Sequence, residues 1–310
     1  MCTYNGQDFL AYQFTSLVAQ THPPDEVVVI DDVSSDMTNA IIDDFVANAP
    51  FLVKVHRNTK RLGAAANFAQ AVSLCAGDII ALCDQDDFWQ SDKLSYIAAA
   101  FNEPSVGLVY CDADVVDRDL QPMGFTWWHR VKFDPMRIRG DNGLQAVLLK
   151  RSRIPGACMA FRASLKSALL PLPSGWMHDA WFSLVASAIT HTVAIDHPLQ
   201  LYRQHGGNAI GGRQRLLFDE IRDGLAIDRE AYYQVELERW EAYAIRIDAI
   251  CAPAFASRLA TEKLAHVRRR SALPRVRLFR LPGVAAEICR GGYYRYARNW
   301  GSIALDLFVK

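Results

Sequence analysis

Basic residues are scarce at the start of this 310-residue chain: residues 1–120 hold 6 Lys and Arg against 18 Asp and Glu. A general nucleic-acid-binding surface needs the opposite balance, so nucleic acid is not expected as a partner. Long apolar runs are also missing. Without a run of about 18 apolar residues, no transmembrane helix is expected. The opening "MCTYNGQDFL" has neither a basic n-region nor an apolar h-region, and it does not read as a signal peptide. No Cys-x-x-Cys pair occurs among the 7 cysteines. Their odd number and wide spacing read as free thiols in a reducing compartment, so the expected location is the cytoplasm. The charge balance reverses later in the chain. Residues 121–310 carry 28 Lys and Arg against 16 Asp and Glu, which brings the formal charge to zero. From Arg258 to Arg298 there are 11 Lys and Arg, opposed by Glu262 and Glu287. An acidic half suits metal-assisted chemistry, and a basic tail suits a partner that carries anions, such as phospholipid head groups.

Hydrophobic residues make up 51% of the chain, enough for a sizeable core. The length fits one large domain with an appendage, or two small domains. "DEVVVIDDVSSD" is an apolar run with an acidic exit, the pattern of a buried parallel strand and its loop. Residues 38–49 read as a helix, 51–58 as a strand, 63–76 as an Ala-rich helix and 77–87 as another strand. A helix over 91–103 has Ser91 as its expected N-cap, and 106–117 is a strand. Strands alternating with helices define an α/β fold with a mostly parallel sheet. Residues 118–153 are irregular, with a helix at "DNGLQAVLLKR". A strong helix spans 178–190, and the pattern is helical again from about 214 to 270. "MCTYNG" reads as the end of a strand whose body lies upstream, so the sheet is expected to lack much of a central strand. No Gly-rich loop with Lys or Arg follows that strand, which argues against nucleotidyltransferase chemistry.

Ligands bind such sheets at the carboxyl ends of the strands, and carboxylates collect there. "CDQDDFW" places Asp84, Asp86 and Asp87 after an apolar strand. Like charges this close need a cation or a hydrogen-bond network. Asp84 and Asp86 project on one face if the segment is extended, and oxygen ligands suit Mg2+ or Mn2+. An Asp-rich turn capping the Ser91 helix is the alternative. Asp31 and Asp32 could accept hydrogen bonds from a nucleoside or form an Asx turn. Asp179, in "SGWMHDAW", is either a helix stabiliser or a general base. Arg203 and His205, in "YRQHGGN", suit a diphosphate or an ordinary surface loop.

Six blocks in order, "CTYNG", "VVVIDDVSSD", "CAGDIIALCDQDDFW", "IPGACMAF", "MHDAW" and "YRQHGGN", resemble family 2 glycosyltransferases. The resemblance is to the GT-A fold and to the rhamnosyltransferase-like members that build bacterial surface polysaccharides. It runs from Cys2 to about Gly211. It implies that Thr3 and Tyr4 line a base pocket and that Asp32, with Asp31 nearby, contacts the base. Asp84 would meet ribose or metal, and Asp86 would be the main protein ligand for Mg2+ or Mn2+. His205 would add a metal or diphosphate contact, accompanied by Arg203. Asp179 would be the general base, with Gly156 and Ala157 near the sugar.

The implied activity is metal-dependent, inverting transfer of a sugar from a nucleotide-sugar donor to a saccharide or lipid-linked saccharide acceptor. L-rhamnose from dTDP-rhamnose is the expected donor; another hexose from a UDP-sugar and a non-catalytic assembly subunit are the alternatives. Residues 1–212 are expected to form the Rossmann-like catalytic domain. Residues 213–310 form a basic helical region expected to meet acceptor or the cytoplasmic face of an anionic inner membrane. Homo-oligomers are a further expectation.

Overall fold

The computed structural model of the chain describes residues 1–138, 143–206 and 228–309. The chain divides into two compact units. The first comprises Met1–Asp141, Arg153–Leu172 and Met177–Gly212. The second comprises Asn142–Ser152, Pro173–Trp176 and Arg213–Lys310.

The first unit is an α/β fold with helices flanking its sheets. Strands β1 (Cys2–Thr3), β2 (Glu26–Asp31) and β3 (Leu52–Arg57) form a parallel sheet in that order. Alternation along β2 sends Val27 and Val29 to one face. There they pack with Leu10, Phe14 and Leu17 of helix Leu10–Val18 and with Ile42 and Phe45 of helix Thr38–Asn48. The spacing of Leu10, Phe14 and Leu17 is that of one helix face. Phe14 and Phe45 stack at 3.8 Å. β1 is only two residues long, and the Met1 amino group donates to the Val28 carbonyl at 2.7 Å.

The remaining strands correct the expectation of a mostly parallel sheet. They are β4 (Ile79–Ala81), β5 (Phe88–Trp89), β6 (Val106–Val116), β7 (Pro122–Thr126), β8 (Met159–Arg162) and β9 (His191–Arg203). They run β4-β8-β6-β9-β5, with β7 paired to β6. Only β6 with β9 is parallel; the other pairings are antiparallel. The sheet is therefore mixed. Its axis is β6, almost wholly buried along its 11 residues. The expected 77–87 strand shortens to β4, because the chain leaves the sheet at Leu82 and re-enters as β5 against β9.

The second unit is the helical C-terminal extension. Its helices include Gly143–Leu148, Arg229–Ala249, Ala254–Ser271, Leu281–Cys289 and Trp300–Phe308. Residues 214–227, expected to be helical, lie outside the described residues. Asp228 caps Arg229–Ala249 by accepting from the Glu230 N–H at 3.0 Å, the hydrogen bond an N-cap carboxylate supplies. Asp306 gathers several buried polar groups here. Asp306 accepts from Arg270 Nε and from the Tyr293 hydroxyl, both at 2.6 Å. Val276, Leu278, Phe279 and Leu281 are exposed. Among the described residues no helix is long and apolar enough to cross a membrane.

Candidate active site

The acidic turn is the loop between β4 and β5, and its three aspartates have different surroundings. Asp87 is 1% exposed. It accepts from the Arg203 N–H at 3.1 Å and from Gln200 Nε2 at 3.0 Å. Both partners belong to β9, so Asp87 fastens the turn to the sheet. Burial, with Asp86 and Asp84 beside it, pushes its carboxyl well above the ordinary range. The expected cap at Ser91 is not made. The helix starts at Lys93, and Asp92 in the cap position makes no side-chain hydrogen bond. The Ser91 carbonyl instead accepts from the Thr21 N–H at 2.8 Å.

Asp86 is half-buried, and its Oδ2 lies 2.9 Å from His205 Nε2. His205 in turn sits 4.4 Å from the Phe9 ring centroid. Asp84 is also half-buried. Burial, then the charges of Asp86 and Asp179, push its carboxyl up to about 7. Asp179 lies in the first turn of helix His178–Ile189, and burial pushes its carboxyl up to about 6 against the opposing hydrogen bond from the Ala180 N–H. Thus Asp84 feels the charges of Asp86 and of Asp179, although Asp179 is more than ninety residues away in sequence.

A buried cation sits beneath this cluster. Lys93 is 1% exposed and donates to the Ala157 carbonyl at 2.7 Å and to Gln200 Oε1. Its ammonium lies 3.9 Å from the Trp89 ring centroid. Because Gln200 also holds Asp87, one hydrogen-bond chain ties the acidic turn to the loop at Gly156 and Ala157. Lys93 supplies part of the charge balance that Asp84 and Asp87 require.

The sequence pattern suits Arg203 to a diphosphate or to an ordinary surface loop. Arg203 is instead the last residue of β9 and almost fully buried. Its Nε donates to the Asp86 carbonyl at 2.8 Å, and Nη1 donates to the Arg118 carbonyl. It buttresses the turn from behind. Arg203 also lines a cleft of about 470 Å3 with Phe9, Tyr12, Arg118 and Asp119. The rest of the glycine loop, from Gly207 onward, lies outside the described residues.

The opening strand meets the acidic turn through Gln85, a residue that sequence reasoning passed over. Its Oε1 accepts from the Tyr4 N–H at 2.8 Å and its Nε2 donates to the Tyr4 carbonyl at 3.0 Å. A Cβ on Gly6 would stand 2.4 Å from Gln85 Oε1. The signal for Gln85 was its position between the aspartates. Tyr4 is exposed, with the Arg61 guanidinium 3.7 Å from its ring centroid. Asp31 accepts from the Thr3 hydroxyl and the Ser34 N–H, each at 2.9 Å. Asp32 accepts from the N–H groups of Leu62 and Gly63, at 2.7 and 2.8 Å, and from Asn58. Burial raises the proton affinity of Asp32, but those hydrogen bonds outweigh it and hold the carboxyl below its usual range. Asp32 therefore shapes the loop that carries Arg61.

The metal donors that the sequence resemblance implies are Asp84, Asp86 and His205. Among the described residues no group of three or more His, Cys, Asp or Glu forms a ready cage for a metal. Hard oxygen donors in an incomplete shell fit Mg2+ or Mn2+, which keep water and take phosphate oxygens as further ligands.

Residues 1–169 match the family model described as glycosyl transferase family 2, and the chain belongs to that family. An uncharacterized protein of Mycobacterium tuberculosis is 27% identical over 207 residues, covering 66% of this chain. This chain spans 57% of that relative's length. The dTDP-rhamnosyl transferase RfbG of Shigella flexneri is 25% identical over 253 residues, covering 77% of this chain and 82% of that protein. Among solved structures, S. aureus TarS in complex with UDP-GlcNAc has a TM-score of 0.60 at 16% identity, over 93% of this chain and 79% of that one. The mannosyltransferase PcManGT from Pyrobaculum calidifontis, in complex with GDP-Man and Mn2+, has a TM-score of 0.55 at 18% identity, over 99% and 83%. These two structures share the fold with this chain.

Proposed function

We propose that the chain transfers a sugar from a nucleotide diphosphate donor to a hydroxyl of a saccharide acceptor, with inversion at the anomeric carbon. One observation carries this reading: Asp179, a buried carboxyl with proton affinity raised to about 6, lies near enough to Asp84 for its charge to raise that carboxyl, and Asp86 beside it meets His205. A base poised near the working pH takes a proton from the attacking hydroxyl most effectively. Asp86 and Asp84, with His205, would hold the divalent cation, which when bound would offset the charge of the departing diphosphate. Arg203 and Asp87 hold the turn in position. Thr3, Tyr4, Asp31 and Asp32 form the nucleoside end, with Asp32 acting through the loop that brings Arg61 over Tyr4.

L-rhamnose from dTDP-rhamnose is the preferred donor, supported by the relationship to the Shigella protein across most of both chains. A UDP-hexose is the second choice. A donor panel of dTDP-rhamnose, UDP-glucose, UDP-galactose and GDP-mannose decides between them. Turnover should need Mn2+ or Mg2+ and vanish in Asp86→Ala. Full turnover in that variant would sink the metal assignment.

The basic C-terminal region is proposed to bring the enzyme to an anionic membrane, where lipid-linked acceptors reside. Support comes from the exposed Val276, Leu278, Phe279 and Leu281 beside exposed Arg275 and Arg277, an apolar and cationic mixture suited to an interface. Cosedimentation with phosphatidylglycerol vesicles, absent with phosphatidylcholine and lost in Leu278→Glu/Phe279→Glu, is the expected result. Equal recovery with both lipids would count against it.

A further inference from the structure

Lys93 opens the helix Lys93–Ala100, and it is 1% exposed. Lysine is almost never buried this deeply unless a partner carries the opposite charge. The contacts of this ammonium are of another kind. It meets the Ala157 carbonyl at 2.7 Å, Gln200 Oε1 and the face of Trp89, and none of these is a carboxylate. Taking a charge out of water costs free energy, and an apolar side chain of the same length would fill this place without that cost. The fold keeps the ammonium and spends its contacts on three separate segments.

Those segments lead to opposite sides of the proposed site. Ala157 lies in the turn Gly156–Cys158. A Cβ on Gly156 would stand 3.7 Å from Asp179 Cβ, so this turn packs against the start of the helix that carries the proposed base. Gln200 bonds in the other direction. Its Nε2 donates to Asp87 Oδ2 at 3.0 Å, and Asp87 also accepts from the Arg203 N–H at 3.1 Å. Trp89 is the residue opposite Gln200 in the pairing of β5 with β9, so the ring and the amide meet the ammonium at one register position. The contacts therefore run from Asp179 through Gly156 and Ala157 to Lys93, and on through Gln200 to Asp87. A side-chain amide suits the middle of this chain, because its oxygen accepts from the ammonium while its nitrogen donates to the carboxyl. The hydrogen bonds of the ammonium are charge-assisted, about twice as strong as neutral ones.

We infer that Lys93, acting through Gln200, is a positioning residue that holds the acidic turn in register with the helix carrying Asp179. This rests on the transferase reading above. Direct displacement needs the diphosphate at the turn and the attacking hydroxyl at Asp179 to stand in line, and a misplacement of about 1 Å costs about a hundredfold in rate. Neither Lys93 nor Gln200 has to touch a substrate to act in this way.

The test uses the full chain. Lys93→Met keeps the length of the side chain and removes its donors. Gln200→Met cuts the link to Asp87 and leaves Lys93 on Ala157. For a donor from the panel that wild type turns over with Mn2+, Lys93→Met should lower kcat about tenfold to a hundredfold. Donor KM should stay within about twofold, because Gln85 and the loop bonded to Asp32 hold the nucleoside end independently. Gln200→Met should lower kcat comparably. The double variant should be no slower than Lys93→Met alone, the non-additivity of residues that act as one unit. Unchanged kcat in either single variant, a donor KM that worsens as much as kcat, or losses that multiply in the double variant overturn the inference. If Lys93→Met does not fold, Gln200→Met decides by its kcat and donor KM. Wild type that turns over none of the donors refutes the transferase reading instead. Hydrogen exchange then reads the linkage without turnover. In Gln200→Met the Arg203 amide, bonded to Asp87, should exchange faster, and so should the distant Cys158 amide, bonded to the Pro155 carbonyl at 3.1 Å. Unaltered exchange at Cys158 overturns the inference.

Discussion

Asp84 makes the folded site pH-dependent, and Asp84→Asn isolates the effect. Its folded carboxyl titrates near 7 against an ordinary 3.8, raised by burial, Asp86 and Asp179. An acid whose pKa is raised on folding holds its proton more tightly in the folded state than in the unfolded chain. Between the two values the native state binds more protons, so stability falls as pH rises. The loss begins near pH 4 and levels off above pH 7. Between pH 5 and pH 8 it is on the order of 3 kcal/mol by linkage. Other groups tilt the profile the other way: His178 and His266 are held neutral by burial and weaken the fold as pH drops below their unfolded range. The comparison is therefore wild type minus Asp84→Asn, in which those terms cancel. Urea unfolding in EDTA at pH 5, 6, 7 and 8 gives the difference. The variant should gain on wild type steadily with pH. Mn2+ at about a hundred times its dissociation constant should return about 3 kcal/mol to wild type at pH 8, and less to the variant. A flat difference across the pH range would refute the account of Asp84 as a strained carboxylate relieved by a cation.

Two more predictions concern the same site. Asp179→Asn should lower kcat by about a hundredfold or more, leave donor KM within about twofold, and abolish the acid limb of the pH–rate profile near pH 6. An unchanged acid limb would mean that another group is the base. Gly6→Ala puts a methyl carbon 2.4 Å from Gln85 Oε1, displacing the amide that grips both backbone groups of Tyr4. The expected cost is about 1 kcal/mol in stability and weaker nucleotide binding. Unaltered UDP and dTDP affinities in calorimetry would show that Gln85 does not organise the nucleoside end.

Much of the site was legible in the sequence because its polar residues interrupt strong apolar runs. Asp31, Asp84 and Asp86 could be located from the strands before them. Their partners could not. The three-residue β4 depends on β8, about 80 residues later, and the return of β5 depends on β9, more than 100 residues later; no local pattern encodes either pairing. For the same reason Ser91 looked like a cap and Asp87 looked local, whereas the bonds of Asp87 go to Gln200 and Arg203. The glycines after Arg203 suggest a surface loop. Arg203 is a buried strand end, since β9 runs on beside β6 to that residue.

By itself the sequence determined the residue types and their order: strands ending in carboxylates, an aspartate opening a helix, and a histidine beyond β9. Local periodicity and solvation suffice for these, because each follows from neighbours within a few residues. Tertiary structure alone decided which charges face one another. Lys93 counters a turn that its own helix does not contain, and Gln85 holds Tyr4 from eighty-one residues away. It also left His178 with two unmet polar atoms against a glycine 22 positions earlier. Proton affinity depends on burial and on charges within a few ångströms. Those distances exist only once the sheets have closed around the site.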